Sequence, residues 1–128
     1  MIKNKRVSYT LQNKMIHFIN HHSNWLNISK SKLVSQCIEE CFPMMDEELN
    51  YMRKTNGYSL YKHAKKFHNS FPITLTLSEI VVDRLNYYSQ ELDVKKSHLV
   101  EISVYLMDEK VSQELENDIK ELMDSSEV

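Results

Sequence analysis

One glycine and two prolines among 128 residues, where average usage gives about 9 and about 6, exclude glycine-cradled phosphate loops and turn-dense sandwiches, barrels and propellers. Hydrophobic residues at 41% and charged residues at 27% suit a modest core, with no run of ~20 apolar residues for a membrane span and no apolar run behind MIKNKR for a signal peptide, so a cytoplasmic location is expected. The net charge of −2 hides a basic head and an acidic tail: residues 1–71 hold 11 Lys and Arg against 5 Asp and Glu, and residues 72–128 hold 5 against 13.

Taken in chain order, Val7, Tyr9 and Leu11 alternate with polar residues, the period-two pattern of a short half-buried strand. Met15, Ile16, Ile19, His22 and Leu26 then follow helical spacing. The break at Leu26-Asn27-Ile28-Ser29 lacks the usual glycine, but asparagine tolerates the left-handed backbone that such a turn needs. A second helix is expected from Leu33, Val34, Cys37, Ile38, Cys41 and Phe42 on one face. Pro43 opens a linker in which Asp46, Glu47 and Glu48 begin a short helix, and Arg53, Lys54 and Asn56-Gly57 end it. Another helix is predicted from Ser59, with Leu60, Ala64 and Phe67 on one face and Lys62, Lys65 and Lys66 on the other. Ile73, Leu75 and Leu77 repeat the strand pattern, and Ser78 with Glu79 makes a good helix start before Val81, Val82, Leu85, Tyr88 and Leu92. After the turn at Asp93, the last helix starts at Lys96 and carries an apolar stripe through Val104, Met107, Val111, Leu115, Ile119 and Leu122, so it is expected to reach Met123.

This order contains an internal repeat. An ungapped shift of 66 residues places Thr10, Leu11, Asn20, Ser23, Leu26, Lys30, Ser31, Leu33 and Val34 on identical residues at 76, 77, 86, 89, 92, 96, 97, 99 and 100. Each copy reads strand, helix, turn, helix. A short strand beside two helices cannot bury its apolar face, and a lone two-stranded ribbon is marginal. One copy therefore needs the other. The expected architecture is mostly α: a module over residues 5–42, a helical linker over 43–70, a second module over 71–108 and an acidic helical extension over 109–128. The two strands would pair antiparallel as a ribbon within an intramolecular pseudo-dimer, the economical arrangement, the alternative being two chains that pair copy with like copy.

Lys5-Arg6-Val7-Ser8-Tyr9-Thr10-Leu11 and Ile28-Ser29-Lys30-Ser31-Lys32-Leu33-Val34 resemble the strand and second-helix motifs of the ribbon-helix-helix family, the Arc/MetJ type. Ile73-Thr74-Leu75-Thr76-Leu77-Ser78-Glu79 and Val94-Lys95-Lys96-Ser97-His98-Leu99-Val100 resemble them again. The resemblance implies sequence-specific binding of double-stranded DNA, with the ribbon in a major groove about 12 Å wide. It implies base contacts from Arg6, Ser8, Thr10, Thr74 and Thr76, and phosphate contacts from Lys5, Ser29, Lys30, Ser31, Lys95, Lys96 and Ser97. Phe71 and Pro72 stand where the first copy has Lys5 and Arg6, and Lys95 stands where it has Ser29. The first copy is accordingly expected to supply most of the affinity, the alternative being a second copy that is purely structural.

The role implied is that of a transcriptional repressor or a mobile-element accessory factor. The alternative is an antitoxin-like interaction protein whose C-terminal helix binds a partner protein, and that helix is also a candidate for self-association. No cofactor or metal is expected. Cys37 and Cys41 read as small buried hydrophobes, His17 and His21 as unmetallated, and no nucleophile stands with a base and an orienting acid, so an enzyme is not expected.

Overall fold

The computed structural model describes residues 3–55, 57 and 70–125. The described residues are mostly helical, with one two-stranded antiparallel sheet and four helices among them. The elements are β1 (Asn4–Gln12), α1 (Asn13–Leu26), α2 (Lys30–Thr55), β2 (Ser70–Ser78), α3 (Glu79–Leu92) and α4 (Lys96–Ser125). Among the described residues, no helix is long and apolar enough to cross a membrane.

Alternation along the strands sorts their side chains. Tyr9, Leu11, Leu75 and Leu77 are buried, while Arg6, Ser8, Thr10, Thr74 and Thr76 are exposed. β1 pairs with β2 from Asn4 opposite Ser78 to Gln12 opposite Ser70. Ser8 faces Thr74, and 74 − 8 is the 66-residue offset of the repeat. Each strand thus meets its own counterpart, with the central pair made of equivalent residues.

The inner face of this ribbon rests on Met15 and Ile19 of α1, Leu33, Val34, Cys37 and Ile38 of α2, Val81, Val82 and Leu85 of α3, and Leu99, Val100 and Val104 of α4, all buried in one core. Fully burying one such side chain is worth about 1.5–3 kcal/mol. The ribbon acquires from the helices the apolar cover that it could not provide for itself.

The two inter-helix turns follow their residue types. Asn27 has φ 56° and Asp93 has φ 54°, the only positive-φ non-glycine residues described. Asn27 N–H donates to Asn24 O at 3.2 Å and Ile28 N–H to Ser23 O at 3.0 Å. Asp93 N–H and Val94 N–H repeat the arrangement on Gln90 O and Ser89 O at 3.4 and 3.1 Å. This is the paired closure of a helix end through a left-handed residue. Valine at either turn position is expected to cost about 1–2 kcal/mol, because its branched Cβ meets the carbonyl oxygen in that conformation. Glycine should hold or raise the unfolding midpoint, and thermal melts of the two pairs of variants check this.

At the helix starts the halves differ. Ser78 Oγ accepts from Val81 N–H at 3.2 Å and caps α3, whereas Gln12 supplies no side-chain cap to α1.

Pro43 does not end a helix. α2 runs unbroken from Lys30 to Thr55 with the proline inside it, so the expected boundary at Phe42 and the separate linker helix after it merge into one element. The reason is energetic. A proline inside a helix costs about 3 kcal/mol, but continuing the same stripe buries Met45 and Leu49 at about 1.5–3 kcal/mol each. The helix stops at Thr55, ahead of the exposed Gly57. The lysine-faced helix expected from Ser59 lies outside the described residues.

This longer α2 closes one side of the molecule. The Arg84 guanidinium sits over the Phe42 ring at 4.5 Å and donates to the Tyr88 hydroxyl at 3.2 Å. Tyr88 in turn donates to Asp46 Oδ1. Burial first, and the bond to Asp46 next, hold the Tyr88 hydroxyl above its ordinary pKa, so it remains a donor.

Candidate nucleic-acid interface

The outward face of the ribbon is a two-column array set by the register. Arg6 stands opposite Thr76, Ser8 opposite Thr74 and Thr10 opposite Pro72. All six are exposed. The five residues expected to meet bases therefore share one surface, and Asn4, exposed opposite Ser78, extends it. Asn4 obeys the same even-numbered alternation as Arg6 and Ser8. That was the available signal for it.

A two-stranded ribbon has two open edges, each a row of outward N–H and C=O groups. Here each edge is met by the start of a helix from the opposite half. Thr76 N–H donates to Ser31 Oγ of α2 at 2.9 Å, and Thr10 N–H donates to Ser97 Oγ of α4 at 3.3 Å. Thr10 and Thr76 are equivalent in the repeat, as are Ser31 and Ser97, so this is one bond made twice. It sets the N-termini of α2 and α4 on opposite edges of the array.

The same bonds explain how Pro72 is tolerated. Thr10 turns its N–H outward to Ser97, so its pairing with Pro72 is of the non-hydrogen-bonded kind, in which residues offer no N–H to each other. Proline at that position removes no rung of the ladder.

The residues expected to meet phosphates are placed less uniformly. Ser29, Lys30, Lys95 and Lys96 are exposed at the two helix starts. Ser29 caps α2 by accepting Lys32 N–H at 3.0 Å. At α4, the backbone oxygen of Lys95 accepts from His98 and Leu99 at 3.0 and 3.1 Å, and no hydroxyl stands there. Ser31 and Ser97 already use an oxygen lone pair on the ribbon, but each hydroxyl keeps its proton for a further acceptor.

Lys5, expected at a phosphate, lies off the outward array. Its odd-numbered position puts it opposite Leu77, out of step with Arg6 and Ser8. Its ammonium lies 3.7 Å from Glu79 Oε1 and 3.9 Å from Asp83 Oδ1. The acids of α3 compensate its charge, and it stands apart from the outward array.

The array is electrically lopsided. Among the described residues, Arg6, Lys30, Lys32, Lys95 and Lys96 make no ion pair with a described acid. Lys32, exposed in the first turn of α2, adds to the cluster near Thr76 and Arg6. At the other edge Glu101 Oε1 accepts Gln12 N–H at 3.0 Å and places a carboxylate beside the ribbon. Its counterpart in the first half is Ser35. Of these five cations, Arg6, Lys30 and Lys32 lie at the Arg6 end, and Lys95 and Lys96 at the other.

Cys37 and Cys41 line a cleft between α2 and α4, beside a Glu40–Lys110 ion pair of 3.7 Å. Burial, with the Glu40 carboxylate next, pushes the Cys37 thiol up to about 12, which keeps it protonated and unreactive at neutral pH. His17 and His21 are exposed on α1, and no group of three or more potential metal ligands occurs among the described residues. Comparison with protein-family models, with curated proteins and with solved structures finds no match to the chain.

Proposed function

We propose that this chain is a tandem ribbon-helix-helix protein, a pseudo-dimer within one polypeptide, that binds double-stranded DNA sequence-specifically as a repressor or mobile-element accessory factor. One observation carries the reading: an exposed polar array on an antiparallel ribbon, with a basic helix start bonded to each edge. A ribbon of this width enters the major groove, where arginine can take guanine O6 and N7 together and hydroxyls can donate or accept. Helix starts offer N–H groups and lysines to the flanking phosphates.

The halves read unequally. Arg6, Thr76, the Ser29 cap, Lys30 and Lys32 belong to one end, whereas the other has Thr10, Pro72, Lys95 and Lys96 with Glu101 nearby. The preferred site is accordingly a pair of non-identical half-sites, with a guanine contacted at the Arg6 end.

Footprinting on DNA flanking the protein's own gene tests the reading directly. A protected stretch of fixed sequence is expected, with affinity that falls steeply as salt rises. Replacing Lys30 and Lys96 together by alanine should weaken binding to specific and random duplexes alike, and should flatten the salt slope by about 2, one unit per lost phosphate contact. Binding that ignores both salt and sequence would overturn the proposal.

A further inference from the structure

The two halves of the molecule are finished differently. On one side the C-terminal half of α2 roofs α3: Phe42, Met45 and Leu49 are buried, and Asp46 and Phe42 engage Tyr88 and Arg84. Carrying the same 66-residue offset onward sets Val111 and Leu115 of α4 at the places of Met45 and Leu49. It likewise sets Phe18, His22 and Trp25 of α1 at the places of Arg84, Tyr88 and Glu91.

Among the described residues, no equivalent roof forms there. Leu115 is 59% exposed, Ile119 48% and Leu122 69%, a stripe at helical spacing that continues the buried Val104 face. On α1 the Phe18 and His22 rings stack at 5.1 Å, and Trp25, 80% exposed, lies beside His22 with ring centroids 6.1 Å apart. Among the described residues, one half thus has a distal helix stripe left exposed, and an aromatic face on which Phe18 and His22 are half-buried and Trp25 is open.

We propose that a second copy of this chain completes the roof: the distal α4 stripe of each protomer lies on the Phe18–His22–Trp25 face of its partner's α1. Charge supports this pairing over other self-pairings. α1 contains no acid but holds Lys14, His17, His21 and His22. From Asp108 to Ser125, α4 holds seven acids against Lys110 and Lys120. Stripe against stripe would oppose two acidic helices, whereas α1 brings Lys14 and no carboxylate to meet the acidic α4. The exchange is reciprocal, so a two-fold dimer makes each contact twice and closes without leaving a stripe exposed.

The full chain without DNA tests this. Its mass in analytical ultracentrifugation is expected to rise from 15.2 kDa toward twice that value across about 1–100 μM. The single tryptophan reports on the same event, and its emission should shift to the blue over the same range. Trp25→Ala and the pair Leu115→Glu with Ile119→Glu should each hold the chain monomeric, with an unchanged circular dichroism spectrum because all three positions are exposed. A monomer at every concentration overturns the proposal. So does a dimer that survives Trp25→Ala, since the stripes would then pair elsewhere. DNA binding does not enter the measurement, so its outcome is independent of the functional reading above.

Discussion

Arg6→Ala combined with Thr10→Ala is expected to weaken binding to the preferred duplex by about 2–4 kcal/mol, roughly 30- to 1,000-fold. The two side chains occupy the same exposed column of β1, opposite Thr76 and Pro72. Neither is buried, so the fold should persist and the loss should be one of recognition. On the proposed reading Arg6 should supply most of it, since losing a bidentate guanine contact costs about 1–3 kcal/mol and losing a single hydroxyl contact costs about 0.5–1.5 kcal/mol. Discrimination against random duplex should shrink along with affinity. The salt slope should change less than in the Lys30 and Lys96 variant, because a contact to a base edge releases few counterions. Fluorescence anisotropy on specific and random duplexes over a salt series separates these effects. Unchanged affinity in the double variant would mean that the outward array is not the reading surface.

On the opposite face of the same strand, Leu11→Ala should cost about 2–5 kcal/mol of folding stability. Leu11 is fully buried, and so, to within 1%, is its counterpart Leu77. Each fills the space between the ribbon and the four helices, and removing three carbons leaves a cavity that the surrounding helices can only partly close. Domains of this size hold about 5–15 kcal/mol in total, so either substitution removes a large share. Urea titrations should show a lower midpoint with a similar slope, and Leu77→Ala should behave alike because it occupies the equivalent place. Thr74→Ala, exposed at the centre of the outer face, should stay within about 0.5 kcal/mol of the parent. Should Leu11→Ala prove as mild as Thr74→Ala, the division of the ribbon into inner and outer faces would be wrong.

Much of this was readable in one dimension. Alternation at Val7, Tyr9 and Leu11 separates the two faces of β1 without reference to any partner, because successive side chains on a strand point to opposite sides. Asn27 and Asp93 announce their left-handed turns through residue type. Ser78 with Glu79 marks the start of α3, and Gly57 lies just past the end of α2. The repeat anticipates two strands needing each other, since neither copy has enough apolar surface to cover its own.

What one dimension cannot carry is which distant groups meet. The pairing of Ser8 with Thr74, the bonds from Thr76 to Ser31 and from Thr10 to Ser97, and the capture of Lys5 by Glu79 and Asp83 all join separate elements. Local pattern says that Ser31 and Ser97 begin helices; it does not say that their oxygens hold the ribbon's edges. Pro43 makes the same point in energy. Read locally it is a helix breaker, and its penalty is overcome only because Met45 and Leu49 find a core beyond it. Periodicity and residue type act through neighbours along the chain and are therefore written in it, whereas register, edge bonding and the survival of α2 depend on surfaces that exist only once the chain has folded.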